Sequence, residues 1–377
     1  MVWGCVVADL VARIQSVDWN FPDSNRANSI HNIHPYPAKF IPEIPRNLIK
    51  LIGLPPNSWV FDPFCGSGVT LVEAQNLGYP SVGIDLNPIA CLISRVKTTP
   101  LKQNVYILAR NIVQKVQELP EFTRLPSIPN VDHWFPKDIQ RAVFSLRQCI
   151  SEIDCISSQD ALNLALSSIL VRVSNQESDT RYAAIQKKYR ASDVYKLFLQ
   201  AALKIWEILG GRKFPTPEAA VMQRNILQTR AEDIDVPVGL VITSPPYPNA
   251  YEYWLYHKYR MFWLGYDPLT VKKQEIGARA HYFKKNPPTV NDFSEQMLYV
   301  FKLLRTIMAP GGHVCFVIGR SKIHGEIIDN AGIISEVGVK AGFEKIACVE
   351  RILSKSRKSF NLSHANIKKE HILVFRE

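Results

Sequence analysis

The stretch Ser58-Trp59-Val60-Phe61-Asp62-Pro63-Phe64-Cys65-Gly66-Ser67-Gly68 sets the architecture of this 377-residue chain. Ser58 to Asp62 has the β-branched and aromatic content of a short strand, and it ends on a carboxylate. Gly66 and Gly68 then let the backbone turn tightly and approach a ligand closely. Thr70-Leu71-Val72-Glu73-Ala74 continues as a helix. Ser81-Val82-Gly83-Ile84-Asp85 is the next strand, and Asn87 is placed to cap the helix after it. Strand, loop, helix, strand and helix at this spacing predict a parallel sheet, with Asp85 at a strand end where a carboxylate can accept from two ribose hydroxyls.

Three other motifs compete for the glycine loop. In a dinucleotide fingerprint the third glycine would fall at Leu71, and no lysine follows as a phosphate-binding P-loop requires. A carboxylate at the loop entrance also suits a cationic ligand better than a pyrophosphate. The remaining alternative is a chance Gly-Ser-Gly turn, against which Asp85 counts.

Outward from this unit, Val105–Gln117, Asp138–Ile153, Ala161–Val173 and Ser192–Leu209 carry apolar residues at three- and four-residue spacing, the pattern of helices. Sheet-like segments return at Ala219–Leu227, Val238–Ile242 and His313–Ile318. Phe343–Ile352 and His371–Phe375 read as a closing antiparallel pair. The expected organisation is one α/β domain formed by residues 1–100 and 216–377, with a helical insertion at 101–215. That insertion is either a target-recognition region or a structural cap. Trp134-Phe135 is expected to pack within it.

The strand at Val238–Ile242 runs into Thr243-Ser244-Pro245-Pro246-Tyr247-Pro248-Asn249-Ala250. The two prolines fix φ and donate no backbone hydrogen bond, so the chain leaves the sheet in a rigid, extended form. The carbonyls of Ser244 and Pro245 then lack strand partners and are available to a ligand. Tyr247 offers a flat face beside them, a plausible seat for a planar base carrying an exocyclic amine. The plainer reading is a strand that stops at a prolyl turn.

Composition narrows the class. Hydrophobic residues make up 46% of the chain and the formal net charge is +11, as in a core-forming protein with a polyanionic partner. Seven scattered cysteines with no Cys-x-x-Cys pair indicate neither a disulfide framework nor structural zinc and suit a reducing cytoplasm. The start, Met1-Val2-Trp3-Gly4-Cys5, lacks a basic n-region and meets Asp9 early, so no secretory signal is expected. No apolar run reaches membrane-spanning length. His31 and His34 have no third ligand near them in the chain, and no metal is expected.

Asp62–Gly68, Gly83-Ile84-Asp85-Leu86-Asn87-Pro88 and Thr243–Tyr247 together resemble the S-adenosylmethionine-dependent amino-methyltransferases of DNA. His34-Pro35-Tyr36-Pro37-Ala38-Lys39-Phe40 is similar to the family's N-terminal segment, which closes over the methionine end of the cofactor. These motifs frame residues 31 to about 260. The one departure is Gly68-Val69-Thr70, where the family usually has Gly-Thr-Thr. The resemblance implies a Rossmann-like class I methyltransferase fold, a mostly parallel sheet with a closing antiparallel hairpin. It also implies S-adenosylmethionine held by Phe40, Asp62, Pro63, Phe64, Cys65, Gly66 and Gly68. Asp85, with Asn87 beside it, would take the ribose, and Asp233 or Glu232 would contact adenine. Ser244, Pro245, Pro246 and Tyr247 would be catalytic, with the target base flipped out of double-stranded DNA.

A serine at the first position of Ser-Pro-Pro-Tyr accompanies, in this family, the N4 amine of cytosine. The alternatives are adenine N6, an RNA base, or an inactive nucleic-acid-binding relative. Methylation at cytosine C5 needs a nucleophilic cysteine, typically after proline, and the chain contains no Pro-Cys. A bacterial modification role, with or without a separately acting cognate endonuclease, follows from the resemblance. Two basic clusters are candidates for phosphate contact or are ordinary solvated loops. They are Lys272, Lys273, Arg279, Lys284 and Lys285, and Arg351, Lys355, Arg357, Lys358, Lys368 and Lys369. Lys187, Lys188 and Arg190 are the basic residues of the insertion. Tyr251, Tyr253, Trp254, Tyr256 and Trp263 are core, pocket wall or base-stacking residues.

Overall fold

The structure, a computed structural model, describes residues 2–21, 29–38, 40–118, 125–179, 181–212, 216–249, 251–353 and 369–377. Seven strands form the central sheet: β1 (Trp59–Asp62), β2 (Ser81–Asp85), β3 (Ala219–Gln223), β4 (Val238–Thr243), β5 (Met308–Gly319), β6 (Glu344–Ile352) and β7 (Lys369–Arg376). Their order is β6-β7-β5-β4-β1-β2-β3. The strands from β3 to β5 run parallel, while β7 is antiparallel to both β5 and β6. This is the expected Rossmann-like arrangement, a mostly parallel sheet with a closing antiparallel hairpin. The strand order reverses between β1 and β4, the place where open α/β sheets bind ligands beyond the carboxyl ends of their strands.

All six residues of β4 are buried, as a central parallel strand covered on both faces requires. Gly239 interrupts the apolar run for a steric reason, since a Cβ there would lie 2.1 Å from Ser58 Oγ. The pairing shifts at this point, so Val238 and Val241 share one face of the sheet. Leu240 and Ile242 face the other side, with Ile44 and Leu48 of the helix Glu43–Ile52. On the first face Phe301 stacks on Phe316 and meets Phe343 and Phe375 edge-on.

The chain between β2 and β3 is mainly helical: Pro88–Thr98, Val105–Glu118, Lys137–Ser151, Ile156–Val173 and Ala191–Leu209. A hairpin, Gln176–Ser178 with Arg181–Ala184, also forms there. Helical periodicity did not signal it. These helices share one hydrophobic cluster with Trp254, Tyr259, Met261 and Trp263 of the helix Tyr253–Leu264. Trp134 and Phe135 are buried in the same cluster. Among the described residues, no helix is long and apolar enough to cross a membrane.

Candidate active site

Parallel pairing brings the ends of β1, β2 and β4 together, and with them Asp62, Asp85 and Thr243. Asp62 Oδ1 accepts from the Phe64 amide at 3.1 Å and from Thr243 Oγ1 at 2.6 Å. Asp85 accepts from the Asn87 amide at 2.7 Å and from the Gly66 amide at 2.8 Å. Gly66 and Gly68 have φ of +49° and +71°, which glycine adopts without strain. Ser94 Oγ donates to the Gly66 carbonyl at 2.8 Å and Lys97 Nζ to the Ser67 carbonyl at 2.7 Å, so the loop is fixed from beneath.

A cleft opens over this floor. Phe40, Asp62, Pro63, Phe64, Cys65, Gly66, Asp85 and Asn87 line it, as do Ser244 and Pro246. Gly68 lies below, at the start of the helix Val69–Asn76. Pro245 is buried. Tyr247 is half-buried behind the cleft, its hydroxyl 3.5 Å from both the Val317 carbonyl oxygen and Glu370 Oε1. Glu370 is in turn paired with Arg351 at 3.0 Å, so β5 and β7 hold the edge of the tyrosine ring.

Asp233 does not line the cleft. It closes a short turn by accepting from the Arg230 amide at 2.8 Å and is ion-paired with Arg224. Arg224 and Asn225, directly after β3, line the cleft themselves. Glu232 is paired with Arg230 at 2.8 Å.

Two further wall residues, Tyr36 and Glu275, were not singled out in the sequence, and Tyr253, named there as core, pocket wall or base-stacking, is the third. Tyr36 lies over the glycine loop, where a Cβ on Gly66 would come within 3.3 Å of its hydroxyl. Its ring stacks on Tyr253 at 5.8 Å and on His257 at 5.3 Å. Glu275 accepts from the amides of Tyr253 at 2.7 Å and Trp254 at 3.2 Å, capping the helix they begin. No local spacing links residues 36, 253 and 275, although Tyr36 stood within the quoted His34–Phe40 segment.

Burial dominates the electrostatics of the cleft. Burial pushes Asp62 and Asp85 up to about 6, against hydrogen bonds that favour their ionised forms. Burial raises Glu275 to about 8 and drives His257 well below the usual imidazole value, leaving it neutral. Cys65 is likewise pushed up, mainly by burial, which argues for packing rather than nucleophilic chemistry.

Of the remaining candidates, His31 Nε2 meets Glu73 at 3.0 Å and His34 Nε2 meets Ser167 Oγ at 3.0 Å. Trp254 and Trp263 are core, while Tyr253 is cleft wall. Lys187 Nζ donates to the Val171 carbonyl at 2.9 Å at the end of a helix, whereas Lys188 and Arg190 are exposed. Lys355, Arg357, Lys358 and Lys368 lie outside the described residues.

S-adenosylmethionine combines a zwitterionic amino-acid end, a cationic sulfonium, a ribose with vicinal hydroxyls and an adenine. The residues present fit it. Asp62, Asp85 and Glu275 face the cleft, and none of these carboxylates belongs to an ion pair among the described residues. The Asn87 Nδ2 donor is buried there without a partner.

Residues 9–95 match the N6/N4 methyltransferase family, described as DNA methylase. The chain is 26% identical over 256 residues to the Type II methyltransferase M.MvaI of Kocuria varians, covering 61% of this chain and 56% of that one. It is 26% identical over 286 residues to the Type II methyltransferase M.BsoBI of Geobacillus stearothermophilus, covering 66% and 55%. The chain thus spans little more than half the length of these curated relatives. With the acids at the ends of β1 and β2 and the prolyl loop after β4, these matches make the chain similar to the S-adenosylmethionine-dependent amino-methyltransferases of DNA.

Proposed function

We propose that this chain methylates the exocyclic amine of a base flipped out of duplex DNA, with cytosine N4 as the favoured target. The observation that carries the reading is the 2.6 Å hydrogen bond from Thr243 to Asp62. It couples the strand that delivers Ser244-Pro245-Pro246-Tyr247 to the loop at the donor end of the cleft.

In this reading Asp62 and the loop to Gly68 hold the amino-acid end of the cofactor and Asp85 holds the ribose. Asn225, at the end of β3, is better placed for adenine than Asp233. The cofactor supplies an electrophilic methyl on a sulfonium, which leaves as a neutral thioether and calls for no strong base.

The chain's own residues then have an orienting task. A base amine is conjugated with its ring and is a poor nucleophile. The Ser244 hydroxyl and the Pro245 carbonyl accept from its protons and turn its lone pair towards the methyl. Positioning and preorganised dipoles supply most of the acceleration. Tyr247 gives the flipped base a stacking face, and its ring is fixed through Val317 and Glu370.

Ser244 favours cytosine N4 through the family pattern. Duplex DNA, a cytoplasmic setting and a modification role beside a separately acting endonuclease belong to the same proposal. So does target recognition by the block at 101–215, where exposed Lys188 and Arg190 support it. The test is incubation with methyl-labelled cofactor and duplex DNA of varied sequence, followed by nucleoside identification. N4-methylcytosine is expected. N6-methyladenine would move the target base, and label in RNA alone would overturn the substrate.

A further inference from the structure

Two segments of different origin are tied to the loop that carries Ser244 and Tyr247. Gly277, at φ +71°, packs so closely that a Cβ on it would lie 2.5 Å from the Tyr247 carbonyl oxygen. On the other side, Asn249 Nδ2 donates to the Lys322 carbonyl at 2.7 Å. Each segment presents one exposed ring. Phe283 ends the short helical turn Arg279–Phe283. His324 occupies the tip of the hairpin Ser321–Ile323 with Glu326–Ile328, at φ +46°.

The two rings meet edge-on, with centroids 6.1 Å apart and planes at 77°. Phe283 is 65% exposed and Ile327, on the hairpin of His324, 69% exposed, whereas most of the other phenylalanines among the described residues are core. Phe283 is nonetheless held in place. Tyr282 beside it is buried, His281 Nε2 lies 2.7 Å from the Lys272 carbonyl oxygen, and the Arg279 guanidinium sits 5.5 Å from the Phe283 ring centre. Lys284 and Lys285 follow Phe283 in the chain, Arg320 and Lys322 flank and enter the hairpin, Lys273 precedes the same turn, and all five are exposed. Glu326 is the one acid on the hairpin itself.

We infer that Phe283, backed by His324, is the wedge that enters the duplex and fills the gap left by the flipped base. This rests on the proposed base-methylating activity and goes beyond it. A flipped base leaves a slot about 3.4 Å thick, the spacing of stacked bases, which suits the edge of a phenyl ring. Apolar side chains inserted at base steps offset the loss of stacking. The exposed cations on these segments suit the phosphates on either side of such a step. An exposed apolar ring with the Arg279 guanidinium beside it, on segments rich in exposed lysine and arginine, fits this occupant better than an apolar protein partner.

The test compares Phe283→Ala and Phe283→Trp with wild type on two duplexes carrying the site that wild type modifies. In one the target base is normally paired, and in the other it stands opposite an abasic position. With Phe283→Ala, kcat/KM on the paired duplex is expected to fall about tenfold or more, and to recover to within about threefold of wild type on the abasic one, where flipping costs least. Phe283→Trp is expected to retain activity on both, and cofactor affinity is expected to be unchanged in both variants. Equal activity of Phe283→Ala and wild type on the paired duplex would overturn the wedge. So would an equal loss on both duplexes. Failure of wild type to methylate either duplex would remove the underlying activity instead.

Discussion

Thr243 Oγ1 lies 2.6 Å from Asp62 Oδ1, and both residues are buried at the carboxyl ends of adjacent parallel strands. One is the last residue before Ser244 and the other opens the cofactor loop. In the proposed reaction this hydrogen bond would couple the segment that holds the methyl donor to the segment that receives the methyl.

Thr243→Val keeps the shape of the side chain and removes the donor. A hydrogen bond to a buried carboxylate is worth about 1.5–3 kcal/mol, so cofactor affinity measured by calorimetry is expected to fall by about tenfold or more. Thr243 holds the Asp62 carboxyl down, so the pH midpoint of cofactor binding is expected to move upward as well. Unchanged affinity and midpoint would show that the two loops are coupled some other way.

The pH dependence of the wild type has two opposite parts. Asp62 and Asp85 titrate at about 6 in the folded chain against an ordinary 3.8. Between those values the folded state binds more protons than the unfolded chain. The contribution of these groups to stability is therefore present at low pH and is lost as pH rises through about 6. Cofactor binding needs the carboxylates ionised and runs the other way. Its affinity is expected to fall on the order of tenfold per titrating group from pH 7 to pH 5. The dependence should shrink in Asp85→Asn, and binding that is flat across that range would contradict these assignments.

Gly68→Ala tests the floor of the cleft. The residue has φ +71°, and a Cβ there would sit 2.6 Å from Ser94 Oγ and 3.0 Å from Ser94 Cα. Backbone strain alone costs about 1–3 kcal/mol. Thermal unfolding should show a lower Tm, and cofactor binding should weaken because Ser94 also holds the Gly66 carbonyl. An unshifted Tm would mean that the loop is looser than the structure shows.

What was legible in the sequence is what short-range chemistry writes into it. The all-buried β4 reads as a continuous apolar run, and Gly66 and Gly68 mark positive φ. Asp62 and Asp85 announce themselves by ending their strands. The side of the cleft built by Tyr36 and Glu275 was not legible, because those residues and Tyr253 meet only through tertiary packing. Asn225 had the same local signal as Asp85, a polar residue just past a strand. It was passed over for Asp233, whose charge suggested a role and whose carboxylate is occupied by Arg224 and the Arg230 amide. The hairpin at Gln176–Ala184 was hidden because its two strands are only three and four residues long.

The central claim is that the prolyl loop performs the chemistry on a donor held elsewhere in the same cleft. Its most direct test is single-turnover transfer from pre-bound, methyl-labelled cofactor to DNA in Ser244→Ala and Tyr247→Ala, with cofactor affinity measured on the same samples. The expected result is transfer lowered by about a hundredfold or more, as for removal of one preorganised group at a reacting centre, with cofactor affinity within about threefold of wild type. Wild-type transfer rates in both variants would contradict the account.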